Sequence, residues 1–235
     1  MSKPYAIRTA LEEVLDGLVE GDPFPPEREL AVRFGVARET VRQAVHELLV
    51  EGRVERRGRG TVVSKPKLVQ PLSLKSYTEG ALEMGRKPGR LLVTWEDVEA
   101  GSAAVPDLAA ALDVADDAAV MHLERLLLAD GQRIGLESTY LPRHRFGAFT
   151  ETFDPTTSLY AAIRASGVDF GSAVERVETV LASPREAALL ESTTAMPMLR
   201  LHRRSVDTKG RPIEVVRSLY RGDRVAFEAL LGGRA

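Results

Sequence analysis

The chain of 235 residues contains no cysteine. That absence removes disulfides, thiolate zinc sites and cysteine nucleophiles together. No apolar run approaches the roughly 20 residues needed to cross a bilayer, and the opening Met1-Ser2-Lys3-Pro4-Tyr5 lacks the apolar core of a signal peptide. A cytoplasmic location with no membrane partner is therefore expected. Neither sign of charge is in excess: the formal net charge is -2, so bulk electrostatics alone point to no polyanionic partner. There is no internal repeat, no low-complexity tract, no Gly-x-Ser-x-Gly elbow and no Walker-type loop. The four histidines, His46, His122, His144 and His202, are dispersed without metal-ligand spacing. No metal, cofactor or catalytic residue is expected.

What is present is uneven in its distribution. Arg53, Arg56, Arg57, Arg59, Lys65 and Lys67 crowd one short stretch against only Glu55, a basic block in an otherwise balanced chain. The length fits two modest domains. Ahead of the block, apolar residues at Ile7, Leu11, Val14, Leu15 and Leu18 recur at three- and four-residue steps and predict a helix over 5–19. Gly21-Asp22-Pro23 stops it and Pro25-Pro26 sets up a second helix, closed after about two turns by Gly35. A third carries Val41, Ala44, Val45, Leu48 and Leu49 and ends near Gly52. A hairpin follows, 54–56 and 61–63, turning at Gly58-Arg59-Gly60.

Three short helices and a Gly-Arg-Gly hairpin are the order of a winged helix-turn-helix. A reading helix must offer donors to base edges from its first turns, because only that end reaches the floor of the major groove. With Val41 turned inward, Arg38 is suited to bidentate contact with guanine, and Thr40 and Arg42 to phosphates or further bases. Gly58 and Gly60 allow close approach to a groove, and Arg57 or Arg59 can follow the backbone or enter the minor groove. Gly58-Arg59-Gly60 lacks the third glycine of a dinucleotide fingerprint.

Lys65-Pro66-Lys67 through Gln70-Pro71 is the expected boundary. The organisation predicted is a DNA-binding domain over 1–66, a linker over 67–74 and a second domain over 75–235. In the second domain, 91–98, 120–128, 134–141, 174–181, 198–206 and 213–220 read as strands. Ala129-Asp130-Gly131 and Asp207-Thr208-Lys209-Gly210 are the turns that join neighbours. Helices are expected over 106–112 and 158–165 and after two capping boxes, Ser76-x-x-Glu79 and Ser183-Pro184-x-Glu186. Strands paired by short turns, with helices between pairs, predict an α+β domain on an antiparallel sheet.

Alternation puts Arg125 on one strand face with Met121, Leu123 and Leu127. A cation among apolar neighbours is costly unless paired with an anion, either a glutamate of the same domain or a ligand. Glu137 sits mid-strand, Glu214 and Tyr220 share a face, and Ser158 and Tyr160 begin a helix whose free amides would suit an anion. Trp95 is most simply core.

The segments Pro25-Pro26-Glu27-Arg28-Glu29-Leu30-Ala31, Phe34 through Ala44, Glu51-Gly52 and Gly58 through Val63 closely resemble the GntR family of regulators. Ser76-Tyr77-Thr78-Glu79 and Ser218 through Arg224 resemble its HutC-type branch, whose sensor is a UTRA domain of chorismate-lyase-like fold. The resemblance spans nearly the whole chain and comes nearest to the amino-sugar-utilisation regulators. It implies that Arg28 and Arg38 read guanines, that Thr40 and Arg42 fix phosphates, and that Gly58 at the wing tip enters the minor groove. It further implies a homodimer on palindromic double-stranded operator DNA, acting as a repressor. Sensors of this branch hold glucosamine 6-phosphate or N-acetylglucosamine 6-phosphate at positions matching Arg125, Glu137, Ser158, Tyr160, Glu214 and Tyr220, with backbone near Tyr77 and Thr78 helping at the phosphate. In one place the pattern departs: Leu127 stands where those sensors carry a second phosphate-binding arginine, so phosphate affinity should fall or the ligand should differ. Two other readings compete. A chorismate-lyase-like enzyme would use the same Arg and Glu types but has no need of the winged helix, and turnover of chorismate would reveal it. A ligand-independent architectural DNA-binder would show no stabilising metabolite.

Overall fold

The computed structural model describes residues 3–103 and 105–231, so the outer limits 1 and 235 expected for the domains lie outside the described residues. The chain divides into two compact units. The first runs to Lys67 and includes Gly222–Arg224; the second comprises Leu68–Arg221 and the chain from Val225 on.

In the first unit, α1 (Lys3–Asp16) turns Ile7, Leu11 and Leu15 inward at four-residue steps. Pro26, in extended conformation, caps α2 (Glu27–Phe34), and Gly35 ends it in the left-handed region at φ 64°. The third helix, α3 (Arg38–Val50), buries Val41, Ala44, Val45 and Leu48 on a single stripe against α1 and α2. Truncating a side chain such as Leu48 to alanine would cost about 2–5 kcal/mol. The wing is the antiparallel pair β2 (Val54–Arg57) and β3 (Gly60–Val63), and β1 (Pro23–Phe24) pairs with the free edge of β3. That two-residue strand was not expected from sequence; it forms because Phe24 is drawn into the helical core. Arg224 closes an ion pair with Glu55 at 2.5 Å within this unit.

The second unit opens with β4 (Leu68–Pro71), which corrects the expected linker over 67–74. These residues form a strand, paired in parallel with β11 (Val225–Glu228), because Leu68 and Gln70 are buried on one side of it. Next come α4 (Tyr77–Glu83), β5 (Pro88–Glu99), a 3-10 turn (Ala100–Ser102), α5 (Leu108–Leu112), β6 (Ala119–Ala129) and β7 (Gln132–Pro142). Two single-turn helices, α6 (Arg143–Phe146) and α7 (Phe149–Thr152), lead to α8 (Leu159–Ala165), β8 (Phe170–Leu181) and α9 (Pro184–Leu189). The chain closes with β9 (Pro197–Asp207), β10 (Pro212–Arg221) and β11. Both predicted capping boxes are formed, on α4 and α9.

Strands β5 to β10 make one six-stranded antiparallel sheet in the order β5-β6-β7-β10-β9-β8. The β6–β7 hairpin turns on Asp130 and Gly131, both at positive φ, as the mirror-image turn matching strand twist requires. One face packs α5 and α9 over Val120, Leu126, Leu136, Val215 and Leu219. The other packs α6 to α8 over Met121, Leu123 and Leu141, and α4 over Leu127 and Leu201. This is the α+β architecture expected, and its second face carries the cavity described below.

Candidate DNA-reading surface and effector cavity

Arg28, Arg38, Arg59 and Gly60 line one surface hollow of the first unit, bounded by Pro23–Glu27, Arg56 and Thr61. Arg38 opens α3 and Arg28 lies in the first turn of α2, so two helix starts and the wing present guanidinium groups to the same region. Glu27, only 13% exposed, organises it: its carboxylate meets Arg38 Nε at 3.5 Å and accepts from Arg56 Nη2 at 3.2 Å. Arg42 is exposed and pairs with Glu39 one turn earlier, and Arg57 donates to Glu55 at 2.9 Å. Thr40 is half-buried on α3, outside the hollow; Gly58, at φ 59°, tips the wing. Exposed ion pairs of this sort are worth about 0–1 kcal/mol, so phosphates can displace the carboxylates. Sequence reading missed Glu27, whose partners lie 11 and 29 positions away with no local pattern to announce them.

In the second unit, cross-strand register assembles the cavity. Side by side across the sheet run Arg90, Leu127, Gly135 and Tyr220, then Leu92, Arg125, Glu137 and Ser218, then Trp95, Leu123, Thr139, Val216, Arg203 and Glu175. Tyr77, Arg125, Glu137, Ser158, Tyr160, Glu214 and Tyr220 line one cavity of about 60 Å³. Thr78 stands behind its wall and accepts from Arg90 Nη2 at 2.8 Å.

Arg125, 2% exposed, takes the glutamate alternative: Nη2 donates to Glu137 Oε1 at 2.6 Å, and Nη1 donates to the carbonyls of Thr157 (3.1 Å) and Pro155 (3.3 Å). It thereby holds the loop that leads into α8, while its Nε keeps no partner. Ser158 caps α8 by accepting from Ala161 N at 3.3 Å, so that amide is not free as expected. Glu214, 1% exposed, accepts from the Tyr160 hydroxyl at 2.5 Å and from Ser205 Oγ at 2.9 Å through Oε1, and its Oε2 has no partner. Burial pushes this carboxyl above its ordinary range, against the opposing pull of the Tyr160 bond and Arg203. Burial likewise raises the Tyr160, Tyr77 and Tyr220 phenols. Tyr77 donates to Leu128 O at 2.5 Å. Tyr220 fits only because position 135 is glycine; a Cβ there would come within 2.9 Å of the ring.

Four charged residues of the cavity escaped the sequence reading: Lys75, Arg90, Glu175 and Arg203. Arg203 donates to Tyr160 Oη at 2.8 Å, to Glu175 at 2.9 Å and to Ser73 O at 3.0 Å. Period-two alternation places such residues on a face, but only the strand order shows which faces meet.

A winged-helix head with convergent arginines, joined in one chain to a sheet domain that encloses a polar cavity, defines a DNA-binding regulator with a sensor domain. Comparison with known proteins makes this specific: the UTRA domain model matches residues 83–226, and that of bacterial regulatory proteins, gntR family, matches residues 7–63. The chain belongs to the GntR family of transcriptional regulators and carries a UTRA domain. It is 51% identical to the HTH-type transcriptional repressor PhnF of Mycolicibacterium smegmatis, over 97% of this chain and 92% of that protein. With the HTH-type transcriptional repressor NagR of Bacillus subtilis it shares 33% identity over 95% of this chain and 92% of the relative. The crystal structure of PhnF from Mycobacterium smegmatis matches with a TM-score of 0.71 at 50% identity, covering 97% of this chain and 100% of that one. These relatives are repressors rather than enzymes, which sets the lyase reading aside. No described helix is long and apolar enough to cross a membrane.

Proposed function

We propose that the protein is a homodimeric repressor of a metabolic regulon in the cytoplasm. It binds a palindromic operator through α2, α3 and the wing, and releases it when an anionic metabolite fills the cavity of the second unit. The observation that carries this reading is that residues lining that cavity keep orphaned polar atoms, two of them on the side chains of Arg125 and Glu214. Arg125 Nε and Glu214 Oε2 are buried without partners, although every other polar atom of the two side chains is engaged. Buried unsatisfied donors and acceptors cost about 1–3 kcal/mol each, and a ligand offering an acceptor to one and a donor to the other recovers that cost on binding. A ligand that favours the released conformation lowers operator affinity, and operator lowers ligand affinity by the same factor.

Operator selection from random duplexes with the full chain, followed by fluorescence anisotropy on the selected site, tests the DNA half. A two-fold symmetric sequence with half-sites about one helical turn apart, or a multiple of it, is expected. Selection of an asymmetric site, or of none, would overturn the reading. The ligand half is tested by titrating glucosamine 6-phosphate, N-acetylglucosamine 6-phosphate, their unphosphorylated sugars and simple carboxylates into the protein–operator complex. Release by any of them supports a sensor, and stabilisation by none of them returns the architectural alternative.

A further inference from the structure

The first unit takes in three residues from the far end of the chain: Gly222–Arg224, which join β10 to β11, pack with it. They are fastened at three points. Lys67 Nζ donates to Gly222 O at 2.6 Å. The Asp223 carbonyl sits directly against Gly52, just past the end of α3, where any Cβ would collide with it. Position 52 also has φ at 72°, so glycine is required there twice over. Arg224, its side chain 15% exposed, meets Glu55 Oε2 at 2.5 Å. Glu55 is 9% exposed, and its other oxygen accepts from Arg57 Nη2 at 2.9 Å. Glu55 and Arg57 lie two apart on β2 and share one face of the wing. One buried carboxylate is thus divided between an arginine fixed inside the unit and an arginine 59% exposed on the wing.

We propose that Arg224 is a positioning residue for operator binding: it neutralises Glu55 from within and leaves Arg57 on the wing available to a DNA phosphate. This rests on the reading of the wing as a DNA contact. A buried carboxylate needs a cation beside it. With Arg224 in place one carboxylate oxygen is occupied, and Arg57 is held by one hydrogen bond that leaves its other N–H donors for a phosphate oxygen. Without Arg224, Arg57 can close its fork on both oxygens, the stronger arrangement, which turns the guanidinium away from the duplex. The net charge of the wing region also falls by one, which weakens its attraction to a polyanion. The head therefore does not complete its DNA surface from its own contiguous residues. A segment that begins 155 positions beyond Lys67 finishes it.

The test is fluorescence anisotropy with the full chain on its selected operator over a range of salt, with thermal melting to monitor folding. Arg224→Met should weaken binding about tenfold and reduce the salt slope by about 1, the mark of one lost phosphate contact. Glu55→Gln, which removes the carboxylate that competes for Arg57, should bind as tightly as the parent or more tightly. The double variant Glu55→Gln/Arg224→Met should recover to within about twofold of the parent, a rescue that a merely structural anchor would not allow. If Arg224→Met does not fold, Arg224→Lys, which keeps the charge and loses the fork, should give a smaller loss that Glu55→Gln restores in the same way. The proposal is overturned if Arg224→Met binds as the parent does, or if the double variant stays as weak as Arg224→Met alone. Arg57→Met separates it from the reading on which it rests. Weakening by Arg57→Met but not by Arg224→Met strikes the positioning role alone, whereas no change from either strikes the wing as a DNA contact.

Discussion

On the head, the Arg38 side chain is 69% exposed and stands 3.5 Å from its carboxylate; in the second unit, Arg125 is 2% exposed and meets Glu137 at 2.6 Å. The same residue type does different work in the two places. An exposed guanidinium keeps its hydration and its mobility, so its attraction to a duplex is long-ranged, screened by salt and easily exchanged between phosphates and bases. A buried guanidinium has lost its water, is fixed by several acceptors and responds strongly to one group placed beside it. A polyanion is met from outside by loosely held charge; a small molecule is met inside by charge already committed, with one or two atoms left over.

The sharpest way to break this contrast is Arg125→Ala. Removing one partner of a buried pair strands Glu137, and a loss of about 3–5 kcal/mol is expected, read from urea midpoints at pH 7. An unchanged midpoint would show that the cavity tolerates free charge as the surface does. Arg38→Ala comes next: folding stability should stay within about 0.5 kcal/mol, while operator affinity falls by about 1–3 kcal/mol with relaxed selectivity at one base pair. For Arg42→Ala, anisotropy against salt should show a weaker, sequence-blind loss and a salt slope reduced by about 1; a selective loss would make Arg42 a base reader.

Glu214→Gln tests the buried acid. The folded state binds this proton more tightly than the unfolded chain does, because burial raises the carboxyl's pKa. Its contribution to stability is therefore fully present below the ordinary carboxylate pKa and is lost as pH rises through the raised value. Urea midpoints of the parent at pH 5 and pH 7 should differ from those of the glutamine variant in that sense, with the variant gaining relative to the parent at the higher pH. The smallest effect belongs to Glu27→Gln, which frees Arg38 and Arg56 and should cost the fold less than about 1 kcal/mol. A measurable drop in operator selectivity would mark Glu27 as a positioning residue.

Legibility in the sequence followed range. The six long strands, the left-handed Gly35 stop and both capping boxes were readable because alternation, turn residues and caps are local signals. The β4–β11 pair was not: four residues beside two prolines look like a tether until a strand 157 positions later supplies hydrogen bonds. Seven of the eight expected cavity residues do line one cavity, yet Arg90 was passed over, since nothing near it in sequence says that it will stand opposite Leu127.

That parallel pair carries one more consequence. It joins the first and last strands of the second unit, so Leu68 and Glu228 lie within a few residues' reach of each other along one ladder. A short glycine–serine bridge between them would create a circular permutant, with new ends cut into an exposed turn such as Lys209-Gly210. The same closeness makes the sheet and its cavity a cassette that can be inserted into a surface loop of an unrelated host, where binding of the anion would report through the host's own output.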